Sequence, residues 1–173
     1  MIPVLTTERL TLRSPRLSDF EAYAAFRASP QMLHLGGPVA RDEAWRQLTG
    51  LAGQWMLRGY GRWIVTLRGQ DAPLGVVGIF HPDGWPEPEI GWSVFTGAEG
   101  RGIAHEAALA ARAFAYDTLD WSTIVSLVSS ENTRSRALAR RLGCTPDGVF
   151  AHNRYGDLTI WRHPSAQALG GAA

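Results

Sequence analysis

The stretch Pro88–Ala108, PEIGWSVFTGAEGRGIAHEAA, decides how the rest of the chain reads. An apolar strand pattern runs into Gly100-Arg101-Gly102-Ile103-Ala104, and an alanine-rich helical pattern follows at once. Strand, glycine turn and helix start together make an anion site. The first backbone N–H groups of a helix have no partner inside it, and the helix dipole adds partial positive charge at that end. Glycines remove the Cβ atoms that would hold a phosphate away. The stretch therefore predicts a seat for a phosphate or pyrophosphate. Taken on the glycines alone, a plain tight turn between strand and helix is the alternative.

Spacing narrows the phosphate ligand. A Walker loop needs a Lys-Ser/Thr pair after its last glycine, and none follows here. A dinucleotide fingerprint needs a third small residue in G-x-G-x-x-G, a place held by His105. That fingerprint also normally opens a βαβ unit, whereas this turn lies past the middle of the chain. A nucleotide-binding α/β protein is thus an alternative that the spacing argues against.

Outward from the turn, the elements follow from periodicity. Arg9–Arg13 alternates as a first strand. Ser18-Asp19 offers a cap for a helix running to about Ala28, and Asp42 offers one for a second helix ending at Gly59, with Trp45, Leu48, Ala52 and Trp55 as its apolar stripe. Pro30–Val39 between them reads as a loop. Trp63–Leu67, Leu74–Phe80 and Glu89–Phe95 read as three strands in succession. After the helix Gly102–Leu119 come a strand Thr123–Val128, a helix Asn132–Leu142 ended by Gly143, and the strands Thr145–His152 and Asp157–Arg162.

The expected order is βααβββαβαββ in one α/β domain over residues 1–163, with a loose tail over 164–173. The three consecutive strands argue for antiparallel pairing, and the βαβ step through Gly102–Leu119 for a locally parallel pair. The result is a mixed, mostly antiparallel sheet with helices on both faces. Ala104, Ala107, Ala108, Ala111 and Ala115 form a small-residue stripe that lets the central helix lie close to the sheet.

Composition bounds what such a domain does. At 173 residues the chain is long enough for a full core. Its formal net charge of +1 gives no general attraction to nucleic acid or membrane. No apolar run approaches membrane-spanning length. The single Cys144 excludes an internal disulfide and suits a reducing compartment. Met1–Leu12 lacks the apolar core of a signal peptide, so a cytoplasmic protein is expected. No metal-ligand spacing is present.

Four pieces in order carry a family resemblance: TERLTLRSPRLSDFEAY at the start, PEIGWSV, GRGIAHEAALAARAFAY, and SENTRSRALARRLGCTPDG. Together they resemble the GCN5-related N-acetyltransferases (GNAT), in particular the RimJ/RimL type of ribosomal-protein-alanine N-acetyltransferase. The resemblance spans about Leu5 to Arg162. It implies acetyl-CoA as co-substrate, bound where the sheet splays between its fourth and fifth strands. It further implies that backbone N–H groups of Arg101, Gly102, Ile103 and Ala104 hold the pyrophosphate. Ser93, Val94 and Phe95 would pair with the pantetheine arm, and Asn132 and Ser135 would contact it. The family puts Gln or Arg three residues before Gly102, where this chain has Glu99.

The reaction implied is direct acetyl transfer to a primary amine, either a protein N-terminus or a small molecule, with no covalent enzyme intermediate. Such an amine has a pKa of about 7.7–8.0 (α-amine) or about 10.4 (lysine) and must lose its proton to attack. Glu89 is the candidate base, with a solvated carboxylate at a strand entrance as the alternative. Ser135 is the candidate acid, because the tyrosine that serves much of the family is replaced by Ala139; an ordinary helix-start hydroxyl is the alternative. Asn132 also suits a helix cap.

Other residues have simpler accounts. His34 and His81 are candidate pocket or base residues that suit surface turns equally well. Glu106 favours the dipole at its helix start. The tryptophans are expected mostly in the core, Trp85 excepted, which is expected to be exposed near the acceptor. Arg134, Arg136, Arg140 and Arg141 read mostly as a solvated face. A catalytically silent acyl-CoA sensor is the non-enzymatic alternative. The resemblance leaves the acceptor and the choice of monomer or homodimer open.

Overall fold

The computed structural model describes residues 1–170, and eight strands in one sheet organise it. In chain order these are β1 (Leu5–Thr6), β2 (Leu10–Arg13), α1 (Phe20–Arg27), α2 (Arg41–Arg58), β3 (Arg62–Leu67), β4 (Gly75–Phe80), β5 (Glu89–Val94), α3 (Ile103–Ala113), β6 (Val125–Ser129), α4 (Thr133–Arg141), β7 (Thr145–His152), β8 (Gly156–Arg162) and α5 (Ala166–Gly170). The strand order is β1-β2-β3-β4-β5-β6-β8-β7. Every neighbouring pair is antiparallel except β5–β6. That exception is where α3 crosses over, as the βαβ step requires. No helix among the described residues is long and apolar enough to cross a membrane.

Strand alternation divides the core between the two faces of the sheet. Trp63, Val65, Val77 and Ile79 join Leu10 and Leu12 under α3. Ile64 and Val76 point the other way, against Tyr23 and Phe26 of α1 and Leu48 and Leu51 of α2. The alanine stripe lies inward: Ala107, Ala108 and Ala111 are fully buried, so α3 sits close on β4 and β5. Past Ala113 the helix widens into a π turn over Phe114–Thr118.

The expected elements are all present, with local corrections. β1 is an additional edge strand, too short to show a period. Pro30–Leu35, expected as loop, forms 3₁₀ turns. The Asp19 carboxylate accepts no cap bond from α1; it is buried, accepting both Arg13 Nη groups at 2.9 and 2.7 Å and the Arg16 N–H at 2.7 Å. Asp42 lies within the first turn of α2, whose cap is Ala40. Trp45 is 43% exposed and meets Phe20 edge-on at 5.1 Å, so the buried stripe of α2 is Ala44, Leu48, Leu51 and Trp55. The tail expected to be loose contains α5, tethered by the Tyr116 hydroxyl bonding Pro164 C=O at 2.8 Å; residues 171–173 lie outside the described residues.

Candidate active site

Two central strands part company after one rung. β5 and β6 are in register only at Glu89↔Val125, and the strands diverge beyond it. Phe95 N–H donates to Leu74 C=O at 2.8 Å, with Val94 opposite Gly75 in the β4–β5 register. Antiparallel alternation then turns the backbone groups of Gly91, Ser93 and Phe95 toward β4 and those of Trp92 and Val94 toward the gap. Of the expected pantetheine set Ser93, Val94 and Phe95, two residues thus turn their backbone groups to β4. Phe95 is spent on β4 and its ring is buried, stacked on Phe26 at 4.8 Å. Val94 keeps a free edge, and Trp92, absent from the expected set, gains one.

The root of the gap is tied by side chains. Glu89 is 7% exposed. Its Oε2 accepts the Leu127 N–H at 2.7 Å, and its Oε1 accepts the Trp85 Nε1–H at 3.1 Å. Burial pushes the Glu89 carboxyl up to about 7, against the opposing pull of those two donors and of the Arg62 charge. Ser126 Oγ donates to Ile90 C=O at 2.7 Å and lies 3.0 Å from His163 Nε2. Ser126 has one proton to give, so Nε2 is the protonated nitrogen of His163. Burial drives that imidazole down to about 3, keeping it neutral.

At one flank stands the glycine turn. Gly102 caps α3 at φ +77°, a conformation glycine adopts without strain. The Glu106 N–H bonds back to Gly102 C=O at 3.1 Å, so the N–H groups ahead of it are free of the helix. No side chain caps this end. Arg9 stands at its rim, with Nη1 donating to Arg101 C=O at 3.0 Å and Nε to Glu106 Oε2 at 2.7 Å. Glu106 also accepts from Thr7 Oγ1 and Arg9 N–H, so it fastens β1 and β2 to α3 rather than merely facing the dipole. Glu99 is held by Gly97 N–H at 2.8 Å and by Gln31. Its charge is thereby engaged within its own turn.

Across the gap, Asn132 Oδ1 accepts the Ser135 N–H at 3.0 Å, making Asn132 the cap of α4. Ser135 Oγ accepts from Trp92 Nε1 at 3.1 Å. The bond joins α4 to β5 and leaves the serine O–H free to donate.

Glu89, Trp92, Ser126, Asn132 and Ser135 line one cavity of about 380 Å³, and the glycine turn lies outside its walls. It runs from Asn132, Ser135 and Trp92 past Glu89 to an end walled by Tyr23, Arg27, His34, Arg62, Trp85, Arg154 and Tyr155. Trp85 is half-buried there, edge-on to Phe80, Phe150, His152 and Tyr155. His34 lines the cavity, whereas His81 does not; its Nδ1 is 2.9 Å from the Tyr60 hydroxyl. Arg134, Arg140 and Arg141 are exposed. Arg9, Arg27, Arg62 and Arg154 escaped the reading of the sequence because each comes from a separate element with no local motif. Among the described residues no group of three or more His, Cys, Asp or Glu is placed to hold a metal ion.

Comparison with known proteins gives the family. Residues 9–145 match the acetyltransferase (GNAT) domain family. An acetyltransferase from Agrobacterium tumefaciens is 40% identical, with 94% of this chain and 95% of that one covered at a TM-score of 0.87. An acetyltransferase of the GNAT family from Bacillus anthracis shares the fold at 21% identity, with coverage of 92% and 97% and a TM-score of 0.78. RimL, a ribosomal alpha-N-protein acetyltransferase solved in complex with coenzyme A, shares it at 18% identity, with coverage of 94% and 98% and a TM-score of 0.75. With most of its length inside the family's domain and a relative at this identity, the chain belongs to the GNAT acetyltransferases.

Proposed function

We propose that this enzyme passes an acetyl group from acetyl-CoA directly to a primary amine, with Glu89 as the base. The observation that carries the proposal is the Glu89 carboxyl, buried at the root of the strand gap with its pKa raised to about 7. A base poised near the working pH is both ionised often enough and basic enough to accept a proton. An ammonium group arriving in the cavity would pass its proton to Glu89, directly or through one water.

The residues fit the co-substrate. An uncapped helix start behind Gly100 and Gly102 suits the pyrophosphate, with the N–H groups of Arg101, Gly102, Ile103 and Ala104 as donors and Arg9 adding positive charge. The free edge at Trp92 and Val94 suits an extended amide-bearing arm laid beside β5. Bound there, acetyl-CoA supplies the activated acetyl thioester. A backbone N–H of that edge would stabilise the charge that builds on the acetyl oxygen. Ser135, whose O–H is free, would relay a proton to the departing thiolate while taking one from solvent, so that it ends as the hydroxyl, and Asn132 holds the start of α4 in place for it.

Direct transfer is favoured over an acyl-enzyme. Cys144 is buried, and its thiol is pushed up to about 12 by desolvation, which leaves almost no thiolate. In this reading residues 1–163 are the catalytic domain, all of its site comes from one chain, and it works in the cytoplasm as a monomer or homodimer. Two measurements test it. Calorimetry should give saturable binding of acetyl-CoA and none of NAD or ATP. The rate of CoA release with an accepted amine should fall tenfold per pH unit below about pH 7, as Glu89 takes up its proton. A flat profile between pH 5 and 7 refutes the assignment of the base.

A further inference from the structure

The end of the cavity remote from Ser135 carries an unbalanced charge. Three guanidiniums line it, from α1 (Arg27), β3 (Arg62) and the β7–β8 turn (Arg154). Among the described residues none of the three forms an ion pair, although the buried Arg13 is paired with Asp19 at 2.7 Å. Arg27 has its Nε buried without a partner, and its Nη1 meets only the weak acceptor Met32 Sδ at 3.5 Å. Arg62 lies over the Phe80 ring at 4.2 Å, and Arg154 stands 5.7 Å from the Tyr155 ring.

The cavity's two carboxylates act on this charge only through space, Glu43 on Arg27 and Glu89 on Arg62, and neither forms an ion pair with it. Glu43 is engaged by Arg46 and Gln47, both at 2.9 Å, and Glu89 by Leu127 and Trp85. The three arginines also feel one another: Arg154 lowers Arg27, and Arg27 lowers Arg62, on top of the desolvation that lowers both. Arg27 and Arg62 are partly buried and Arg154 is exposed beside them; partly buried guanidiniums without a paired counter-ion are costly unless an anion completes them. The forked donors of arginine match a carboxylate in particular.

We propose that the acceptor is a small amine carrying a carboxylate a few bonds from its nitrogen, an α-amino acid in class, whose carboxylate is bound among Arg27, Arg62 and Arg154 while its nitrogen faces Glu89. The inference rests on the acetyl-transfer reading above and narrows its acceptor. A small acceptor is favoured over a protein terminus because two loops meet across this end. A Cβ on Gly36 would stand 2.9 Å from Tyr155 Cε1 and 3.0 Å from Arg154 Nε. That contact leaves little way out for a continuing chain.

The test uses the full chain and acetyl-CoA with the α-amino acids, their carboxamides, the matching decarboxylated amines, and short peptides with Asp or Glu second. We expect at least one amino acid to be acetylated with kcat/KM about 10²-fold or more above its carboxamide, because the carboxamide leaves buried donors unpaired. Arg27→Gln and Arg154→Gln should each narrow that ratio mainly through KM for the acid. Equal or better turnover of carboxamides, simple amines or acidic peptides overturns the proposal. Thermal melting of the CoA-saturated protein with the same acids and carboxamides reads the anion site without turnover. Stabilisation by acids alone supports it; no stabilisation, or equal stabilisation by both, overturns it. Absence of turnover with every amine would count against the transfer reading, and the melting comparison keeps the two failures apart.

Discussion

Replacing Glu89 with glutamine keeps the side chain's shape and removes a charge from a site that is only 7% exposed. The folded chain raises this carboxyl from 4.5 to about 7. A shift of that size corresponds to about 3 kcal/mol at roughly 1.4 kcal/mol per pH unit. Because the folded pKa is raised, the protonated form is the one the fold favours. Its stabilisation is complete below the unfolded value, about pH 4.5, and is lost as pH rises through about 7. At pH 8 the wild-type protein therefore carries a penalty that Glu89→Gln does not. The amide oxygen still accepts from Leu127 N–H, but Trp85 Nε1–H loses its acceptor, which costs about 1 kcal/mol. The net gain at pH 8 is about 2 kcal/mol, or roughly 4–8 °C in Tm for a domain of this size. At about pH 5 the two proteins should lie within about 1 kcal/mol of each other. Activity should fall by about 10²–10⁴-fold. Thermal melts across pH 5 to 8, beside initial rates of CoA release, measure both. A variant less stable than wild type at pH 8, or equally active, refutes the reasoning.

Three further outcomes are expected. Gly102→Glu sets an acid in the uncapped helix start and a Cβ 3.2 Å from Arg9 Nη2, at a φ of +77° that costs about 1–2 kcal/mol for other residues; calorimetry should show acetyl-CoA binding lost. Arg13→Ala strands the buried Asp19 carboxylate and should cost about 3–5 kcal/mol in urea unfolding, with a loss below about 1 kcal/mol counting against a buried pair. Ser135→Ala should lower kcat more than tenfold while acetyl-CoA affinity stays within about threefold, and an unchanged kcat would exclude the serine as proton donor.

The fold was legible because its decisive signals are local. The strand that ends before the glycine turn, the alanine stripe of α3 and the three strands in succession each need only neighbouring residues to be read. Glu89 stands out as a candidate by the same means, through its place at the entrance of a strand. What escaped depends on partners distant in sequence. Alternation groups Ser93 with Phe95, but only the identity of the β4 partner tells that their backbone groups are consumed and those of Trp92 and Val94 are free. Asp19 looked like a cap because Ser-Asp before an apolar run usually is one; Arg13 on β2 claims the carboxylate instead. Trp45 fits an apolar stripe by spacing, yet the sheet covers the neighbouring Ala44 face. The arginines at the far end of the cavity lie far apart in sequence and share no motif, so only the folded chain brings them together.

The single rung at Glu89↔Val125 also has a mechanical meaning. It makes the molecule two slabs, β1 to β5 and β6 to β8, riveted at one end and open like a clothes-peg at the other. Ser126, Glu89 and His163 are the rivet. Whatever lies in the opening and bonds to both jaws becomes a missing plank of the sheet, so occupancy by a ligand and rigidity of the fold are one equilibrium. At a ligand concentration of 100 times its Kd, that coupling adds about 2.7 kcal/mol to the stability of the whole chain. Amide exchange at Trp92 and Val94 should slow in step with it.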